Sequence, residues 1–85
     1  MKAKHKDIHD YVVRIESHLR KKYPGLEFHV HVRSDDDAVI YFSGVSPDEE
    51  YGVIKRAGSI STDALIQDGY RIYTLPAPES TVTTA

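Results

Sequence analysis

The 85-residue chain reads as a two-layer α+β domain. The expected architecture is an antiparallel three- or four-stranded sheet with two or three helices on one face, in the order αββα followed by ββ or αβ. Three observations predict it. Apolar residues recur at helical spacing at Ile8, Val12, Ile15 and Leu19. Residues 27–33 alternate strictly between apolar and polar. Ser46-Pro47-Asp48-Glu49 carries a helix-start signal. These are the 3.6-residue and 2-residue periods and the capping pattern of an α+β domain.

The first helix is expected over residues 5–22, with Tyr11 beside the apolar stripe and Pro24-Gly25 as its stop. Arg20, Lys21 and Lys22 suit the negative end of its dipole. Strands are expected over 27–33 and 38–43, with Ser34–Asp37 as the turn. Parity constrains the hairpin, because directly opposed residues share a face. A two- or four-residue loop sets His31 opposite Ile40. A three-residue loop, Asp35–Asp37, pairs Val32 with Ile40 and Val30 with Phe42, keeping the apolar set together, and is preferred. A second helix is expected over 47–57, capped by Ser46, with Pro47 at N1 and Glu49 at N3. Its inner stripe is expected to be Tyr51, Ile54 and Ala57, and Gly58 its end.

Residues 61–75 admit two readings. In one, 64–67 is a strand turning at Asp68-Gly69 into a returning strand. In the other, Ser61 or Thr62 caps a short helix to Asp68, and Gly69 is its left-handed end. Both make 70–75 a strand, with Ile72 on one face and Arg71 and Tyr73 on the other. The domain is expected to cover residues 1–75, with 76–85 as a flexible tail.

Composition narrows the function classes. Hydrophobic residues are 40% and charged residues 28%, an ordinary globular mixture. The net charge of −2 hides an asymmetry. Residues 1–22 hold seven Lys and Arg against three acids, or +4; residues 23–85 hold four against ten, or −6. The chain has no Cys, which excludes disulfides, thiolate metal sites and cysteine nucleophiles. No apolar run approaches the ~20 residues that span a bilayer, and no apolar stretch follows the basic N-terminus as in a secretory signal. The expected location is the cytoplasm, with no membrane partner.

No reading of the residues supports an enzyme. Gly44-Val45-Ser46-Pro47-Asp48 lacks the second glycine of a nucleophile elbow, and capping explains Ser46. Phosphate-cradling and dinucleotide glycine motifs are absent, so no cofactor or small-molecule site is expected. His29-x-His31 places two imidazoles about 7 Å apart on one side of a strand, two corners of a metal site that lacks a third ligand. His5 and His9 form a weaker pair among lysines. Asp35–Asp37 lacks the spacing of a calcium loop. The order αββα-β, with Phe42-Ser43-Gly44-Val45-Ser46 leading into the second helix, resembles bacterial BON-type domains over about residues 26–58. The glycine-valine and asparagine pattern of those domains is missing before the last strand, and the resemblance implies no role for any residue.

The remaining candidate is the open face of the sheet. If the helices cover the Phe28/Val30/Val32/Ile40/Phe42/Ile72 face, the other face shows His29, His31, Arg33, Tyr41, Arg71 and Tyr73. Tyr and Arg are enriched at interface cores and Lys is depleted, and this face has no Lys. The leading expectation is a non-enzymatic interaction or regulatory module whose partner is a protein or a second copy. The same rings and guanidinium groups also suit stacking with single-stranded nucleic acid. A metal-binding protein using His29 and His31 is the third reading.

Overall fold

The computed structural model describes residues 7–77. The chain runs α1 (Ile8–Lys22), β1 (Glu27–Ser34), β2 (Asp37–Ser43), α2 (Pro47–Asp68) and β3 (Arg71–Pro76). α1 starts at Asp7, which forms a capping box with Asp10; the Asp7 N–H donates to Asp10 Oδ2 at 3.3 Å. Ile8, Tyr11, Val12, Ile15 and Leu19 are buried, as their spacing predicts. After α1 the Leu26 N–H donates to the Tyr23 carbonyl at 3.1 Å, turning the chain at Pro24-Gly25 into β1.

β1 and β2 pair antiparallel, two residues out of the preferred register: Val32 opposes Ala38, Val30 opposes Ile40 and Phe28 opposes Phe42. The apolar residues keep the expected face, and the loop is what differs. The chain turns on Asp35-Asp36 alone, and a β-bulge between Val32 and Ser34 leaves Arg33 as an extra residue. A two-residue turn without that bulge would throw His31 onto the core side; the extra residue restores parity. The Ser34 hydroxyl donates to Asp36 Oδ1 at 2.9 Å and stiffens the turn. Neither turn residue has a positive φ, so the turn lacks the primed geometry that matches strand twist. The bulge supplies twist in its place.

α2 departs furthest from expectation. Its start is as predicted, with Ser46 and Glu49 in a capping box and Pro47 in the first turn. It does not end at Gly58 but runs 22 residues to Asp68. Its buried stripe is Val53, Ala57, Ile60 and Ala64; of the three predicted inner residues only Ala57 is buried, while Tyr51 and Ile54 face outward. This stripe continues at +4, +3 and +4 straight through Gly58. Burial of Ile60 and Ala64 beyond it outweighs the ~1 kcal/mol that a glycine costs inside a helix. Residues 61–68 are therefore helical, as an extension of α2 rather than a separate third helix, and the strand reading of 64–67 is excluded. Gly69 ends the helix at φ 74°; its N–H donates to the Leu65 carbonyl at 2.9 Å, and the Tyr70 N–H donates to the Ala64 carbonyl at 3.2 Å.

The length of α2 corrects the sheet. A 22-residue helix is about 33 Å long and carries the chain back along the sheet. β3 therefore enters from the same end as β2 and pairs with it in parallel. The sheet has three strands in the order β1-β2-β3 and is mixed, not antiparallel. The Arg71 N–H donates to the Asp36 carbonyl and the Ala77 N–H to the Phe42 carbonyl, each at 2.8 Å. Pro76, expected to open the tail, thus belongs to β3, and the Ala77 N–H still bonds β2; the rest of the expected tail lies outside the described residues.

Both helices pack on one face. Ala38, Ile40, Phe42 and Ile72 meet the buried stripes of α1 and α2 there. The Arg20 guanidinium lies over the Phe28 ring, 4.9 Å from its centroid, and shields this half-buried aromatic at the sheet edge. Val32, expected in the core, is 52% exposed. It stands at the hairpin end of an edge strand, bordering an open cleft with Ile8, His9 and Tyr70. No helix among the described residues is long and apolar enough to cross a membrane.

Candidate interaction face

Strand alternation and the two registers place the predicted site residues together. His29 on β1, Tyr41 on β2 and Leu75 on β3 form one row across the face away from the helices. His31, Val39 and Tyr73 form the next. At the hairpin end Asp37 pairs with Arg71, and the bulged Arg33 lies beside them. All six predicted residues therefore share one surface, spread over three strands.

The hairpin end is the organised part. Arg33 Nη2 donates to Asp37 Oδ1 at 2.7 Å. The same guanidinium sits 5.8 Å from the centroid of the Tyr73 ring. One side chain thus joins a carboxylate of β2 to an aromatic of β3, a fixed geometry that Arg supports and Lys does not. The hydrogen bond to Asp37 raises the Arg33 pKa above its ordinary value, against an opposing contribution from burial.

At the centre, Val39 is only 5% exposed although it points away from the helices. Its row neighbours His31 and Tyr73 flank it from the two outer strands. Tyr73 is 47% exposed and Leu75 43%, while Tyr41 is half-buried and His29 and His31 are exposed. An apolar and aromatic strip thus crosses β2 and β3, bordered by imidazoles on one side and guanidinium groups on the other.

Formal charge on this face nearly cancels. Asp37 bonds Arg33 and also pairs in register with Arg71, while Glu27 balances the second guanidinium in count only, from the opposite end of the sheet beside Ser43. His29 and His31 share the face, yet no group of three or more His, Cys, Asp or Glu that could hold a metal occurs among the described residues. His5, half of the weaker pair, lies outside them.

Three members of the face were missing from the predicted site. Asp37 read as a turn residue, and only the bulge reveals it as a strand residue beneath Arg33. Val39 shares the parity of Tyr41, and Leu75 that of Arg71 and Tyr73, so alternation alone identifies both. Compared with known proteins, the chain matches no family model, BON-type domains included, and no curated protein or solved structure matches it.

Proposed function

We propose that this protein is a small non-enzymatic interaction or regulatory module that binds a protein partner through the His29/His31/Arg33/Tyr41/Arg71/Tyr73 face. The observation that carries the reading is the Arg33 clasp, bonded to Asp37 and lying over Tyr73. Partly exposed Tyr and Arg side chains, already ordered and free of Lys, are the composition of an interface core. Ordering before binding lowers the entropic cost of association. Apolar Val39 and Leu75 extend the contact area between the rings.

The same clasp weighs against nucleic acid. Binding driven by phosphate needs cations free to release counterions, and Asp37 already occupies Arg33. A metal site at His29 and His31 has no third ligand to draw on among the described residues. A cytoplasmic location belongs to the proposal and rests on the absence of cysteine.

A photo-crosslinking residue at Tyr41 tests the reading. It is expected to capture a discrete partner in cells of the source organism. The same residue at Ser17 on α1 is expected to capture none, and Tyr73→Ala is expected to abolish capture. Equal capture from positions 41 and 17 overturns it. Titration with a single-stranded oligonucleotide at low salt is expected to leave Tyr41 and Tyr73 resonances in place; salt-sensitive shifts would favour the nucleic-acid reading instead.

A further inference from the structure

β3 is an edge strand, and among the described residues nothing pairs with its outer side. The Arg71 and Ala77 N–H groups donate inward, toward β2. Alternation therefore turns the N–H and C=O groups of Ile72 and Thr74 outward, together with the carbonyl of Pro76. Pro76, which has no N–H to offer, falls at the end of this open stretch and leaves its middle unprotected. Natural edges are commonly blunted by Lys, and β3 has none.

The helix beside this edge presents a matching seam. Ile54, Gly58, Ser61 and Leu65 recur on α2 at +4, +3 and +4 and border shallow clefts along β3. Ile54 and Leu65 are 36% and 51% exposed, and a Cβ added at Gly58 would meet nothing within 4 Å. The stripe reads large, small, small, large, the same in both directions. Its midpoint at Gly58 and Ser61 lies against Ile72 and Tyr73, the middle of the open edge.

We infer that the β3 edge and the α2 seam pair with a second copy of this chain about a two-fold axis through Tyr73, normal to the sheet. In that register Ile72 faces Thr74 of the second copy, and their outward groups exchange both hydrogen bonds, giving four across the dimer. Each donor meets an acceptor, and Pro76 lies outside the bonded pairs. Arg71 faces Leu75 of the second copy, so no like charges oppose one another. In the helix layer Ile54 meets Leu65 of the second copy, and Gly58 with Ser61 lets the antiparallel helices approach. An unrelated peptide would satisfy the strand edge but has no reason to match this palindrome. The dimer joins two three-stranded sheets into one of six strands, with the two open faces continuous on one side and Arg71, Tyr73 and Leu75 along their shared border, so the inference reaches beyond the proposed function by adding a second copy beside that face.

Sedimentation equilibrium over a wide concentration range tests the proposal. The full chain is expected to reach about twice 9.6 kDa. Gly58→Lys, which places a charge in the seam without touching the packed core, is expected to keep it at monomer mass with unchanged circular dichroism. Leu75→Lys is expected to do the same by facing Arg71 of the second copy, and Arg71→Glu added to it is expected to restore the dimer. Because the chain lacks cysteine, Tyr73→Cys gives a register test. Non-hydrogen-bonded antiparallel partners lie about 4.5 Å apart at Cα, within disulfide reach, whereas Leu75→Cys would stand about 13 Å from its mate. Rapid oxidation to a covalent dimer is expected for Tyr73→Cys only. A chain that stays monomeric, a dimer indifferent to Gly58→Lys and Leu75→Lys, or equal oxidation at 73 and 75 overturns the proposal. A monomer that dimerises only after removal of residues 78–85 also overturns it, by assigning the edge to the chain's own C-terminal segment.

Discussion

Tyr11 in the first turn of α1 donates its hydroxyl to Asp68 Oδ2 in the last turn of α2, at 2.7 Å across 57 residues of sequence. The bond fastens the two helices where the dipole of α2 disfavours an acid. Tyr70 packs edge-on against Tyr11, with ring centroids 5.8 Å apart. The hydrogen bond to Asp68, then burial, then the Asp68 charge push the Tyr11 pKa from 10.0 up to about 12. A folded-state pKa raised in this way contributes stability that is complete below the unfolded value and lost as pH climbs through the folded one. Denaturant unfolding is therefore expected to show the wild type losing stability between pH 10 and about 12. Tyr11→Phe is expected to be less stable at pH 7, with a shallower alkaline decline that closes the gap. Parallel curves for the two proteins would exclude the bond as a stabilising contact.

Thr74 sits in the middle of β3 with its side chain buried and its Oγ1 without a hydrogen-bond partner among the described residues. A desolvated hydroxyl without a partner costs about 1–3 kcal/mol, and Val preserves its shape. Thr74→Val is expected to raise stability by about 1 kcal/mol or more, measured by urea unfolding. Destabilisation would show that the hydroxyl is satisfied in solution.

Two glycines are expected to respond in opposite ways to alanine. Gly44 has φ 97°, and a Cβ there would lie 2.3 Å from the Gly25 carbonyl oxygen. Backbone strain alone costs about 1–3 kcal/mol, and neither carbonyl nor loop can yield cheaply. Gly58 lies in a helix with open space around it, so alanine there is expected to add up to about 1 kcal/mol in dilute solution. Thermal unfolding of Gly44→Ala and Gly58→Ala checks both signs.

The same Gly58 shows why part of the fold was hidden in the sequence. A glycine at the end of an amphipathic stretch is a stop signal, and only the continuation of the buried stripe to Ile60 and Ala64 overrides it. Missing that continuation left β3 free to be antiparallel, because the direction of a strand follows from how far the preceding helix carries the chain. The hairpin was legible to its faces but not to its register. Alternation assigns Val30 and Ile40 to one side whatever the loop, whereas the bulge at Arg33 depends on twist that no single residue type announces. For the same reason the six site residues were legible as a surface, while the partnership of Arg33 with Asp37 was not.

That partnership is open to test by substitution. The Arg33 guanidinium holds Asp37 on β2 and covers Tyr73 on β3 at once. Lys keeps the charge but loses the planar fork and the ring contact. Arg33→Lys is expected to move the aromatic proton resonances of Tyr73 and to weaken binding of the proposed partner at the open face. The melting temperature is expected to change little, because exposed ion pairs contribute modestly to stability. Asp37→Asn is expected to loosen the same ring by freeing the guanidinium. Tyr73 resonances unmoved by either substitution would show that the ring is positioned by the sheet alone, and the clasp would then contribute nothing to ordering the face.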